Sequence, residues 1–365
     1  MLKRREALTL AIGLTAALSV AVAAQNPAPT PPKKDDKKQA EALRKEGQEI
    51  FKLVDMAAAG QPTPNDFGIA WVHDDVLKAQ GNKEYVPFSV SLDGSKIASP
   101  TLALYYRVVQ QGAGAPPPAP PSGKNEKNDK KDDKKDDKKA QQQKYPYEDF
   151  VQLPVQQGQN PLRISRSFTV SAGAYDVFIV VKEPASDQKN APSAKVSVLK
   201  HTVTIPDFWT SELTTSSVIV AQRIEPLNQA LSPQEQAERP YALGSMEITP
   251  AFDAKFSKKN ELSTFLLIYN PKTDPMNKPD VTVEYNFYQK PSGQPEKFFN
   301  KTNPQALNAQ TLPPQFDMTQ GHQLQTGQAV PLASFPEGDY RLEIKITDKL
   351  ANKTVTRDVN FTVTS

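Results

Sequence analysis

The stretch SFPEGDYRLEIKI, residues 334–346, indicates the fold class of the chain. Pro336, Glu337 and Gly338 supply turn chemistry, and from Tyr340 to Ile346 apolar and charged side chains alternate. A period of two is typical of a strand with one buried face and one face in water. The stretch therefore predicts a tight turn that leads into a half-buried β-strand.

An earlier copy of this pattern lies at residues 167–181, SFTVSAGAYDVFIVV. In both copies Ser-Phe leads to Gly-x-Tyr and then to alternating apolar residues. Other strand-like segments match between the two halves in the same order: 85–92 with 262–269, 102–108 with 281–287, and 196–205 with 354–363. This order of strands and turns predicts an all-β chain of two tandem antiparallel immunoglobulin-like sandwiches, at residues 65–206 and 213–365.

The first 24 residues have the pattern of a signal peptide for export. A basic start (Lys3, Arg4, Arg5) precedes an apolar run, and the small residues up to Ala24 suit cleavage before Gln25. Cleavage would leave a periplasmic or secreted protein with no membrane attachment. The alternative is a retained anchor, because the run is near the lower limit of about 17 residues for a membrane span.

The amino-acid composition excludes some classes of function. The chain has no cysteine, which excludes disulfides and thiolate chemistry even though export would permit disulfides. The formal net charge is +3, part of it in the signal peptide, and no basic patch stands out. A nearly neutral mature chain argues against nucleic-acid binding as a main task.

Two segments of low complexity interrupt the strand pattern. Residues 25–40 are rich in Pro and then in Lys and Asp, and residues 111–144 repeat the same composition inside the first sandwich. We expect a disordered tether and a disordered surface loop, respectively. Residues 41–59 carry apolar side chains at helical spacing, so residues 25–64 are predicted as tether plus one short helix. Lysines flank the paired aspartates, which favours a self-neutralising tether over a calcium site.

Residues that could carry catalysis or bind metal form no recognisable constellation. His73, His201 and His322 lie in separate segments without the spacing of zinc ligands. The sequence has no nucleophile elbow, phosphate-binding loop or dinucleotide motif. Asp74 and Asp75 are adjacent, but we interpret them as a solvated turn. The prediction is a non-enzymatic protein with no metal and no cofactor.

The two copies differ on the sheet face opposite the core. The second copy places charged residues there, whereas the first places Phe178 and Val180 there, and the neighbouring strand adds Tyr105 and Val109. An apolar outer face is usually covered by something. The cover is either intramolecular (the second sandwich, the helix at 41–59, or residues 65–75) or a partner. These four residues are therefore the candidate protein-contact face.

Residues 335–340, FPEGDY, resemble the turn before a late strand in immunoglobulin-like and fibronectin type III-like domains. In those domains the tyrosine hydroxyl bonds back to the backbone. The resemblance implies structural tyrosine corners at Tyr340 and, in the first copy, at Tyr175. Residues 340–354 look like the closing hairpin of many bacterial immunoglobulin-like domains.

A narrower resemblance covers residues 209–365, which are similar to C-terminal β domains of uncharacterised secreted proteins from soil bacteria. Some of those domains occur with GWxTD proteins. The GWxTD motif itself is absent here. The resemblance therefore implies a fold and brings no activity with it.

These features predict a non-catalytic interaction or structural module of the bacterial envelope, bound to an unknown envelope protein. The alternative is a carbohydrate-binding sandwich, with Trp71, Trp209 and Tyr288 as the aromatic candidates. Exposed, stacked rings on one concave surface would favour a sugar. A flat apolar sheet face would favour a protein.

Overall fold

The computed structural model describes residues 34–112, 145–156, 158–185, 193–229 and 231–365, with side chains from residue 45 onward except that of Pro233. The predicted signal peptide, the start of the tether and nearly all of the loop at 111–144 lie outside the described residues. The chain divides into two compact units, Met1–Glu49 and Ile50–Ser365. In the described part of the chain, no helix is long and apolar enough to cross a membrane.

One long helix, α1 (Lys34–Ala58), precedes the strands. It begins seven residues before the predicted start at Glu41, so residues 34–40 are helical and the prediction of an extended tether there was wrong. The helix ends before Gly60, whose φ of 69° is the left-handed conformation that commonly terminates helices.

The first sandwich has two four-stranded sheets. Their strands are β1 (Ala70–Asp74), β2 (Leu77–Lys78), β3 (Glu84–Leu92), β4 (Thr101–Gln110), β5 (Tyr147–Pro154), β6 (Leu162–Val170), β7 (Gly173–Lys182) and β8 (Val196–Ile205). In one sheet β3 pairs with β6 on one side and with β1 and β2 on the other, and the second sheet has the order β5-β4-β7-β8.

The second sandwich has two six-stranded sheets and a short helix, α2 (Pro233–Glu238). Its strands are β9 (Thr214–Thr215), β10 (Ile219–Pro226), β11 (Ala242–Leu243), β12 (Met246–Pro250), β13 (Lys255–Ser257), β14 (Glu261–Tyr269), β15 (Val281–Lys290), β16 (Lys297–Lys301), β17 (Gln305–Leu307), β18 (Leu324–Pro331), β19 (Gly338–Asp348) and β20 (Lys353–Thr364). The sheets have the orders β11-β12-β10-β14-β18, with β9 also on β14, and β13-β20-β19-β15-β16, with β17 also on β15.

The pairings confirm the all-β fold class. The strands β3, β4, β7 and β8 recur as β14, β15, β19 and β20, and the registers match, because Tyr106 faces Ile179 where Tyr285 faces Ile344. One pairing departs from the antiparallel prediction, because β13 runs parallel to β20. The polar segment between β10 and β11 contains α2.

Strand β14 connects the packing of the two sandwiches. On one face, Leu262, Leu266 and Ile268 enter the core of the second sandwich. On the other face, Phe265 and Leu267 belong to the hydrophobic cluster that fills the first sandwich. Both faces of this strand are therefore buried, and the sandwiches share a continuous apolar interface.

Candidate functional site

The predicted protein-contact face is covered by the chain's own helix. Tyr105 and Phe178 are each 2% exposed and Val180 is fully buried. They form one cluster with Ile50 and Val54 from the last turns of α1. Ala57 and Val198 complete this cluster, and Val109 packs at its edge, partly buried. In this structure the face is a docking surface for residues 50–58.

A buried arginine fixes the helix at this face. Arg107 donates from Nε to the Tyr105 hydroxyl at 2.7 Å and from Nη2 to Glu148 at 3.2 Å. Its guanidinium also lies 3.9 Å from the carboxylate of Asp55 on α1 and 4.0 Å from the ring centroid of Tyr145. Burial raises the pKa of the Tyr105 hydroxyl, which therefore stays a neutral donor to Glu148.

The two tyrosines of the repeated motif make the same backbone contact. The Tyr340 hydroxyl donates to the Pro336 carbonyl at 2.8 Å, and the Tyr175 hydroxyl donates to the Ser171 carbonyl at 2.9 Å. Gly338 has φ of 138°, a conformation that side chains disfavour, which explains why glycine precedes the second corner.

The three aromatic candidates lie on separate parts of the fold. Trp71 is stacked between Phe88 and His201, with centroid distances of 5.0 and 4.3 Å. Tyr288 lies on the outer face of the second sandwich, 4.4 Å from the guanidinium of Arg341. Among the described residues these rings do not contact Trp209, which is 40% exposed and lines a cavity. They therefore do not form one sugar platform.

A groove lies where the two sandwiches meet. It consists of three adjoining cavities of about 920, 880 and 480 Å³. The first and third share residues 78–80 and 321–323, and the first and second share Met246, Phe265 and Gln325. We call this continuous surface the junction groove.

Hydrogen bonds between the sandwiches fix the walls of the junction groove. The backbone of Val76 donates to Ser217 Oγ at 2.8 Å, and Ser217 N–H donates back to the Val76 carbonyl at 3.0 Å. Lys78 N–H donates to the Tyr269 hydroxyl at 2.9 Å. Because these bonds join segments far apart in sequence, the groove is a fixed part of the fold.

Carboxamides dominate the polar lining of the junction groove. Five exposed glutamines line it: Gln80, Gln222, Gln315, Gln323 and Gln325. Glu261 supplies the one carboxylate among the described lining residues. Each amide can both donate and accept, so this surface suits binding by hydrogen bonds more than acid–base chemistry.

A lysine and an indole stand at one end of the junction groove. Lys78 Nζ lies 4.2 Å from the ring centroid of Trp209 and 3.3 Å from Asn270 Oδ1. Burial lowers the pKa of Lys78, and the nearby carboxyl groups of Glu84 and Asp207 oppose this shift only in part. Trp209 Nε1 donates to the Lys83 carbonyl at 3.1 Å, which sets the orientation of the ring.

A buried carboxylate lies behind this end of the groove. Glu84 is fully buried; its Oε1 accepts from Phe208 N–H at 3.1 Å, and its Oε2 has no hydrogen-bond partner among the described residues. Burial raises the pKa of Glu84, which favours its neutral form.

The interpretation of Asp74 and Asp75 as a solvated turn was wrong for Asp75. Asp75 is 1% exposed and accepts from the Tyr241 hydroxyl at 3.0 Å, with His73 Nε2 at 3.1 Å. Burial lowers the pKa of His73, but the hydrogen bond and charge of Asp75 outweigh it, so the pKa is raised overall. The segment around Tyr241, inserted between β10 and β14, covers the carboxylate, and it serves as a polar pin between the sandwiches.

The other two histidines have local partners. His201 stacks on Trp71, and burial lowers its pKa. His322, exposed at the groove rim, accepts from Asp317 N–H at 2.9 Å through Nδ1. Within the described part of the chain, no three His, Asp or Glu side chains converge in a way that could hold a metal ion.

No protein-family model and no curated protein matches the chain. Among solved structures, it is similar to Escherichia coli alpha-2-macroglobulin activated by porcine elastase (10% identity, TM-score 0.23, over 77% of this chain and 22% of that chain). It is also similar to Salmonella alpha-2-macroglobulin reacted with methylamine (12% identity, TM-score 0.20, over 83% and 17%). The chain thus spans about a fifth of the length of these proteins.

Proposed function

We propose that the protein is an exported, non-catalytic binding module of the bacterial envelope, and that the junction groove is its binding surface. The observation that carries this proposal is the groove itself, which is lined by residues of both sandwiches. Hydrogen bonds between the sandwiches fix the positions of its walls. Its amide and aromatic lining is typical of recognition sites, which combine apolar area with a few fixed polar groups. The signal-peptide pattern supports export.

The proposal moves the binding surface away from the sheet face predicted from the sequence. A partner at Phe178 and Val180 would have to displace Ile50 and Val54, which pack on them. Docking of α1 there already buries the apolar area that a protein partner would need. In this proposal the helix-covered face stabilises the fold, and contacts with other envelope components are made at the groove.

A pair of matched substitutions tests the proposal. Gln325→Trp places a bulky ring where two cavities of the junction groove meet, at an exposed strand position. Thr356→Trp makes the same addition at an exposed strand position on β20, outside the groove. Both should unfold at the temperature of the unsubstituted protein, because neither removes a buried contact.

The exported chain, purified from the envelope and immobilised, is exposed to envelope extract, and the retained proteins and glycans are quantified. We expect Gln325→Trp to lose the retained component and Thr356→Trp to keep it. Equal retention by both variants would show that the groove is not the binding surface. No retention by the unsubstituted chain would contradict a binding function altogether.

A further inference from the structure

Four charged side chains, of both signs, line the junction groove among the described residues. Arg223 pairs with Glu225 at 3.1 Å, and Lys78 is engaged by Trp209 and Asn270. Lys259 and Glu261 are the other two charged side chains of the described lining, and they carry opposite charges. A strongly acidic or basic ligand would lose hydration without gaining matched charges along most of this surface.

The exposed polar groups of the lining are mostly carboxamides. Gln323 directly precedes β18 and Gln325 is its second residue. Gln80 and Gln315 line the same central cavity. A carboxamide offers two donor hydrogens and a carbonyl acceptor, and a sugar hydroxyl also donates and accepts. A row of such groups can therefore bind a polyhydroxylated ligand without any ionic contact.

Exposed aromatic surface is present at one end of the groove. Trp209 is 40% exposed, and its indole is held by the Lys83 carbonyl. Phe265 lies beneath the floor shared by two of the cavities and is only 6% exposed, so Trp209 supplies the accessible ring surface. The apolar C–H faces of sugar rings pack on such rings, and a ring of fixed orientation loses little entropy when it binds.

The groove does not suit an added peptide strand. Strand β18 is at the edge of its sheet, but its Gly327 carbonyl already accepts from Gln305 Nε2 at 2.9 Å. Thr326 Oγ1 donates to the other end of the same amide at 2.6 Å. Strand addition needs free backbone groups on such an edge, and a side chain occupies this carbonyl.

From these observations we infer that the junction groove binds an uncharged oligosaccharide strand. The inference rests on the proposed binding function of the groove and adds the class of its ligand. Each cavity falls within the range of about 300–1,000 Å³ that small ligands occupy. Three of them in a row suit an extended oligomer of several sugar rings.

Calorimetric titration of the exported chain tests the ligand class. The ligands are three neutral hexasaccharides (cellohexaose, maltohexaose and chitohexaose), a hexamer of galacturonic acid and an uncharged, unstructured hexapeptide. We expect at least one neutral hexasaccharide to bind, with affinity reduced at least tenfold in Gln325→Trp and unchanged in Thr356→Trp.

Trp209 gives a second measurement, since the chain has two tryptophans and Trp71 is stacked in the first sandwich. The bound hexasaccharide should change the tryptophan fluorescence of the unsubstituted protein, and Trp209→Phe should abolish that change. Absence of binding by all three neutral hexasaccharides would overturn the inference, as would preference for the uronate hexamer or the peptide. Equal affinity in Gln325→Trp would also overturn it.

The outcomes separate this inference from the proposed function. Loss of the retained envelope component in Gln325→Trp, together with no binding of a neutral hexasaccharide, would leave the binding function standing and refute the ligand class. Equal envelope retention by the two tryptophan variants would refute the function first.

Discussion

The outer faces of the two equivalent sheets differ at matched positions. In the first sandwich, Tyr105 on β4 faces Val180 on β7, and helix residues cover the pair. In the second sandwich, the matching positions on β15 and β19 hold Glu284 and Lys345, which lie 3.4 Å apart as an ion pair. The backbone pairing is the same, and the side chains decide whether a helix docks.

The second outer face is stabilised by charge instead of a cover. Arg341 contacts Glu296 at 2.6 Å, Glu343 at 3.3 Å and Asp358 at 2.5 Å. Partly exposed ion pairs of this kind contribute little each, whereas apolar burial under a helix contributes several kcal/mol. The two sheets share one backbone arrangement. Apolar burial under a helix stabilises the outer face of the first sheet far more than ion pairs stabilise that of the second.

The largest effect is expected at Phe178, whose matched position in the second sandwich is Glu343. Phe178→Asp removes a ring that is 2% exposed and puts a carboxylate among the apolar side chains under the helix. We expect the free energy of unfolding to fall by about 3–5 kcal/mol, measured by urea denaturation. The matched control Glu343→Asp should change it by less than about 0.5 kcal/mol. Similar losses in the two variants would refute the difference between the faces.

A smaller loss is expected from the helix side of the contact. Ile50 is 1% exposed, and Ile50→Ala removes part of the cover over Tyr105 and Phe178. We expect a loss of about 2 kcal/mol, the low end for such truncations, because the helix can settle towards the sheet. Lys52→Ala on the exposed side of α1 is the control. If both substitutions were neutral in thermal unfolding, the helix would not be stabilising the first sandwich.

Substitutions at the two tyrosine corners test whether the corner hydrogen bond contributes equally to stability in both sandwiches. Tyr340→Phe and Tyr175→Phe each remove one hydroxyl-to-carbonyl hydrogen bond and leave the ring in place. We expect each to lower the free energy of unfolding by about 1 kcal/mol. A loss in one copy alone would show that the two frames differ beneath their outer faces.

The smallest effect is expected from the charges of the second outer face, through pH. The hydrogen bond from Arg341 lowers the pKa of Glu296. The stabilisation is therefore present above the unfolded-state pKa and is lost as pH falls through the lower folded-state value. Glu296→Gln should cost up to about 1 kcal/mol at pH 7 and nothing near pH 2, by denaturant titration at each pH. A cost that grew on acidification would contradict the assignment.

Local patterns carried most of the fold prediction. The strands at Tyr340 and Tyr175 were predictable because a period of two and a turn are properties of neighbouring residues. Helix α2 could have been found in the same way, since Ser232 and Glu235 form a capping box and a proline lies in the first turn. Its short length and polar composition concealed it.

The groove could not be predicted, because its lining comes from segments that only the folded chain brings together. Gln80, Gln236 and Gln325 are ordinary surface residues in sequence, and no local pattern marks them as neighbours. Asp75 and Tyr241 are likewise 166 positions apart. The sequence did predict that the outer face of the first sandwich is apolar and that of the second is charged. It could not predict whether the helix or a partner packs on the apolar face, because that depends on tertiary packing.

The double burial of β14 has a consequence for how this chain can be divided. A fragment that started after Ile205 would carry Phe265, Leu267 and Tyr269 on an open sheet face, three large apolar side chains stripped of their partners. The complementary fragment would lose Tyr241, whose hydroxyl donates to Asp75, and the carboxylate of Asp75 would become exposed to solvent. We therefore expect the two repeats to unfold as a single cooperative unit, and neither repeat to be stable alone without polar substitutions on that face of β14.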